Sequence, residues 1–155
     1  MTFDSEKLLD DTGWQLLQAL QDDARLSFAE LGRRVGLSPP AVAERVRRME
    51  DAGIITGYCA QVNPEKIGLS VMALIGLTTT PQQYPQIIAL LNDLPEVLEC
   101  HHVTGGCSFS IKAIASSMSH LEALIEKLSR FGSTATSIVL SSPVKLRGIS
   151  HSACD

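Results

Sequence analysis

Apolar residues along the first third of the chain recur at helical spacing and are broken by turn signals. Leu16, Leu17 and Leu20 mark a first helix from Asp10 to about Leu20, with acidic residues at its start, where the helix dipole is positive. Ser27-Phe28-Ala29-Glu30 has the form of a capping box and predicts a short second helix ending at Val35. Gly36 allows a tight turn, Ser38 can cap the next helix, and Pro39 suits its first position, where no N–H is needed. A third helix follows to about Ala52 and stops at Gly53. Helices two and three, joined by a short glycine-containing turn, form the pattern of a helix-turn-helix.

On a helical wheel Val42, Val46 and Met49 fall within about 60° of one another and predict the buried side of the third helix. Pro40, Ala41, Glu44, Arg47 and Arg48 lie opposite, with Arg45 on the flank. An apolar back, small residues near the N-terminus and arginines on the front are what entry into a major groove requires. A solvated charged face is the competing reading of those arginines taken alone.

The pattern changes after Gly53. Residues Ile54 to Val62 read as an extended segment, and Asn63-Pro64 and Gly68 mark a linker. Beyond Ser70 the expected order is a strand from Val71 to Thr80, a helix carrying Tyr84, Ile87, Ile88 and Leu91, and strands from Val97 to Thr104 and Ser108 to Ala115 hinged at Gly105-Gly106. A second helix follows, introduced by Ser117 and a capping box Ser119-His120-Leu121-Glu122, with Leu121, Leu124, Ile125 and Leu128 as its apolar face, and then a last strand from Thr136 to Leu140. This βαββαβ order predicts a ferredoxin-like domain, so the fold class is α+β. Leu74, Ile75, Ile138 and Val139 are apolar on both alternating faces of their strands, so a partner subunit is expected to cover the sheet side that the helices leave open. The domains read as 1–56 helix-turn-helix, 57–69 linker, 70–147 ferredoxin-like and 148–155 tail.

Charge sharpens this picture. The 155 residues have a formal net charge of -4, but residues 24–48 carry six arginines against two acids, and residues 1–23 carry six acids against one base. Exposed charges act over about 10 Å at 0.1 M salt, so the local +4 segment governs a phosphate partner. The longest apolar run, Val71 to Leu77, is too short for a membrane span, and a cytoplasmic protein without a membrane partner is expected. Cys59, Cys100, Cys107 and Cys154 are scattered, with no C-x-x-C pair, so neither a disulfide framework nor a zinc finger is indicated. Cys100, His101, His102 and Cys107 lie close in sequence, but strand alternation puts Cys100 and His102 on one face and His101 on the other. No metal site, cofactor or catalytic constellation is expected.

The stretch from Leu37 through Arg45-Val46-Arg47-Arg48-Met49-Glu50-Asp51-Ala52-Gly53-Ile54-Ile55-Thr56-Gly57-Tyr58 closely resembles the leucine-responsive regulatory protein/AsnC (Lrp/AsnC) family. So do Leu9-Asp10, Asp23-Ala24-Arg25-Leu26-Ser27 and Val103-Thr104-Gly105, and the resemblance spans essentially residues 9–147. It implies a transcriptional regulator of amino-acid metabolism that binds double-stranded DNA and a small-molecule effector, an amino acid or related metabolite. It also implies a homodimer that assembles further, often to an octamer. On this pattern DNA is read by Ser38, Pro40, Ala41, Glu44, Arg45, Arg47 and Arg48, and the effector is met by Thr104, Gly105, Gly106, Ser108 and Thr136. Family members commonly carry an acid after that glycine and an aspartate two residues on; here Gly106 and Ser108 stand at those places. The competing functions are an enzyme or a metal- or tetrapyrrole-binding relative of the same fold, and a ligand-binding module without DNA function.

Overall fold

The computed structural model describes residues 8–144 and 146–153. Cys154 lies outside them. The chain divides into two compact units, one running from Val62 to Pro143 and the other combining the residues up to Gln61 with those from Val144 onward.

Three helices build the first unit: α1 (Asp11–Asp22), α2 (Phe28–Val35) and α3 (Pro39–Asp51). Each is capped by the side chain its sequence supplies. Asp10 accepts from Gly13 N–H at 2.8 Å, Ser27 from Glu30 N–H at 3.2 Å and Ser38 from Ala41 N–H at 3.4 Å. The Glu30 carboxylate pairs with Arg33 and Arg34. Gly36 ends α2 in the left-handed region, with φ of 70°. Gly32 makes the turn compact: a Cβ there would lie 2.3 Å from the Leu37 carbonyl oxygen, so any side chain would push the turn off α2. Leu16, Ala19, Leu20, Leu31, Val42 and Val46 form the core between the helices. Truncating a fully buried leucine such as Leu31 costs about 2–5 kcal/mol.

The second unit is a four-stranded antiparallel sheet of β1 (Val71–Thr78), β2 (Val97–His102), β3 (Phe109–Ala115) and β4 (Ser133–Ile138), in the order β2-β3-β1-β4. Helices α4 (Tyr84–Asp93) and α5 (Met118–Ser129) cover one face. Ala73, Ile75, Leu77, Phe109, Ile111 and Ala113 point into that layer against Ile87, Leu91, Leu121, Leu124 and Leu128. The architecture is the expected ferredoxin-like βαββαβ.

Three local details depart from the sequence expectation. β1 stops at Thr78, because both backbone groups of Thr79 bond to the Ser108 hydroxyl. The box that starts α5 is made by Ser117 and His120: Ser117 Oγ accepts from His120 N–H at 3.1 Å, and His120 Nδ1 accepts from Ser116 N–H at 3.3 Å. The last strand begins at Ser133, three residues early, because the small polar residues of this edge strand pair through their backbone, Ser133 opposite Thr78 and Ala135 opposite Gly76.

Candidate DNA-reading face and effector turn

Helix α3 presents two opposite sides. Val42, Val46 and Met49 are buried, whereas Ser38, Pro40, Ala41, Glu44, Arg47 and Arg48 are exposed. The Ser38 hydroxyl is occupied by the cap. Arg47 lies between two carboxylates, with Nη2 2.8 Å from Glu44 Oε1 and Nη1 2.7 Å from Asp51 Oδ2. The guanidinium holds the Glu44 carboxyl below its ordinary value, and Glu44 in turn raises Arg47. Arg45 is half-buried and bonded to Asp10 of the α1 cap. Of the predicted readers, then, Arg45 also anchors α3 to α1. Tyr58, beyond α3, donates to Glu50 Oε1 at 2.8 Å; burial first and then that carboxylate push its phenol up to about 12.

In the second unit the β2–β3 turn is built from Thr104, Gly105 and Gly106, all exposed, and a Cβ on either glycine would meet nothing within 4 Å. This turn is fastened to the end of β1. Ser108 N–H donates to the Leu77 carbonyl at 2.9 Å, its hydroxyl bridges the N–H and carbonyl of Thr79 at 3.1 Å each, and Thr78 Oγ1 donates to the Gly106 carbonyl at 3.2 Å. Thr79 Oγ1 donates to the Phe131 carbonyl at 2.6 Å, bringing the start of β4 to the same corner. Thr136 stands elsewhere: it faces Ile75 across β1, whereas Thr134 is level with Leu77 and hence with the turn. The sequence reading missed Thr78 and Thr79. The run Thr78-Thr79-Thr80 at a strand end was the signal for them.

Cys100 and His102 lie opposite Ile111 and Phe109 on the helix side of the sheet, and His101 lies opposite Ser110 on the other. His102 packs against Tyr84 and Phe109, with ring centroids 4.9 and 5.2 Å away. Among the described residues no group of three or more His, Cys, Asp or Glu side chains could hold a metal ion. No described helix is long and apolar enough to cross a membrane.

Comparison with known proteins joins these two sites in one kind of molecule. Residues 9–50 match the AsnC-type helix-turn-helix domain, and residues 72–149 match the Lrp/AsnC ligand binding domain. The uncharacterized HTH-type transcriptional regulator YezC of Bacillus subtilis is 41% identical over 86% of this chain and 95% of its own. Among solved structures, a transcriptional regulator from Neisseria meningitidis in complex with L-methionine superposes with a TM-score of 0.86 at 31% identity, covering 91% of this chain and 96% of that one. The feast or famine regulatory protein of Mycobacterium tuberculosis, also complexed with L-methionine, gives 0.84 at 34% identity, covering 90% and 97%. With both halves matched in order, and with a capped three-helix unit and an antiparallel βαββαβ unit in place, the chain belongs to the Lrp/AsnC family of transcriptional regulators.

Proposed function

We propose that this regulator reads double-stranded DNA with the front of α3 and is controlled by an amino acid or related carboxylate held at the β2–β3 turn. The observation that carries the reading is the two-sidedness of α3: its apolar back is fully engaged, while Pro40, Ala41, Glu44, Arg47 and Arg48 face outward. Small residues at the leading end let the backbone approach base edges, and the arginines supply phosphate and guanine contacts. Ser38 and Arg45 complete the reading surface from its start and its flank.

For the effector, the exposed N–H groups around Thr104, Gly105 and Gly106 offer a carboxylate site without a basic side chain, with Ser108 as a further contact; Thr136, two residues along β4 from the position level with the turn, is set aside. Binding of L-methionine by two relatives supports an amino-acid effector. The open sheet face, with Met72 and Leu74, is the surface for a homodimer, and such dimers assemble further, to an octamer. A ligand that favours one assembly state shifts the population, and with it the spacing of paired α3 helices on DNA.

The direct test is a mobility shift with the region upstream of the protein's own gene, with and without L-methionine. A shifted band that is sequence-selective and altered by the amino acid is expected. Binding no tighter than to random duplex would overturn the DNA reading, and a band indifferent to a panel of amino and keto acids would overturn the effector reading.

A further inference from the structure

The DNA-binding unit is discontinuous in sequence, since residues from Val144 onward belong to it. Two contacts fasten them to α1. The Gln21 side chain forms a reciprocal pair with the backbone of Ile149: Nε2 donates to the Ile149 carbonyl at 3.0 Å, and Ile149 N–H donates to Oε1 at 2.7 Å. Two residues later the His151 ring stacks on Trp14, with centroids 5.0 Å apart and planes 23° from parallel. Ile149 also joins Leu9, Leu17, Leu20 and Ile55 in lining an apolar cavity of about 420 Å³.

The segment is otherwise poorly buried, with Leu146 86% exposed and Ile149 68% exposed. Ordering such a segment costs entropy in proportion to its length, and a few half-solvated contacts offset it narrowly. Docking of this kind is reversible. Its position also gives it leverage. The α1 cap, Asp10, holds Arg45 of α3, and the docked segment follows β4 in the chain, the strand whose Thr134 is level with the turn.

We propose that residues 146–153 are a strap: docked on α1 through Gln21 and Trp14 they hold the DNA-binding unit in its binding-competent form, and their release weakens DNA binding. Any link from effector to strap through β4 rests on the effector reading above; docking and its effect on DNA do not.

Trp14 is the only tryptophan in the chain, so its emission reports the strap directly. The experiment compares the full chain with a chain ending at Pro143 and with the surface variants Gln21→Ala and His151→Ala, measuring tryptophan emission, far-ultraviolet circular dichroism and affinity for the same duplex. Expected are a red-shifted Trp14 emission in the truncated chain and in His151→Ala, and a loss of DNA affinity of roughly fivefold or more with helix content preserved. Unchanged emission would show that the segment is not on α1, and altered emission with unaltered affinity would show that it has no part in binding; either result overturns the proposal. Should the truncated chain fail to fold, the two point variants decide on the same readouts.

Discussion

Arg45 of α3 is ion-paired with Asp10, the residue that caps α1, across 35 positions of sequence. The same carboxylate accepts from Gly13 N–H, and that bond, followed by the bond from Arg45, holds its pKa below the ordinary 3.8. A carboxyl depressed in the folded state contributes stability that is complete above the unfolded value and is lost as pH falls through the folded one. Asp10→Asn keeps an oxygen for the cap and removes the charge. It should lower Tm by a few degrees at about pH 7, for a pair worth up to about 1 kcal/mol, and the gap should close below about pH 4. A gap independent of pH, read by thermal melts, would show that the carboxylate charge is not what Asp10 contributes.

Salt dependence should show which arginines of α3 meet phosphate. Arg48→Ala should weaken binding and reduce the slope of log K against log salt by about one, as loss of one phosphate contact does. Arg47 is already bound by Glu44 and Asp51, so Glu44→Gln, which frees it in part, should tighten binding. Fluorescence anisotropy across a salt series checks both; an unchanged slope for Arg48→Ala would move that residue off the DNA backbone.

The effector turn has no carboxylate at Gly106 or Ser108 with which to pair an ammonium group. Space exists for one at Gly106. Gly106→Asp should therefore raise affinity for L-methionine about tenfold, the gain from one charge-assisted bond, with little effect on an α-keto acid of the same side chain. Ser108→Ala should weaken both ligands, because it unfastens the turn from Thr79. Isothermal titration that ranks the two ligands alike in every variant would remove the ammonium from the account.

A sheet-to-sheet dimer makes a separate prediction. Leu74 lies at the middle of β1 on the open face and is 47% exposed. Burying a glutamate there without a partner is costly, so Leu74→Glu should reduce the particle to the monomer mass at micromolar concentration in light scattering. An oligomer unaffected by Leu74→Glu would place the subunit contact elsewhere.

The helix-turn-helix was legible because each of its devices is local: a capping serine, a glycine turn and a 3.6-residue apolar stripe all lie within a few positions of one another. The βαββαβ order of elements followed from the alternation of strands and helices. Less legible was whatever depended on a distant partner. Nothing near Arg45 announces Asp10, and Ser108 gives no hint that its hydroxyl would terminate β1 at Thr79. The start of β4 was missed because Ser133, Thr134 and Ala135 lack the apolar alternation of a half-buried strand, and an edge strand paired through its backbone does not need it. His120 was read as an interior position of a capping box, although a histidine three residues after a capping serine can close the box itself.

Helix α3 contains three arginines and three acids, Glu44, Glu50 and Asp51. With α3 as the proposed reading helix, Arg47 would arrive at a duplex with two carboxylates attached, and a phosphate would have to displace them to gain it. Random DNA, which offers charge alone, is a poor competitor in that exchange, whereas an operator adds base contacts to the same phosphates. On the proposed reading the helix would be less adhesive than its arginine count suggests, and acids on that face would shorten the time spent on wrong sequences.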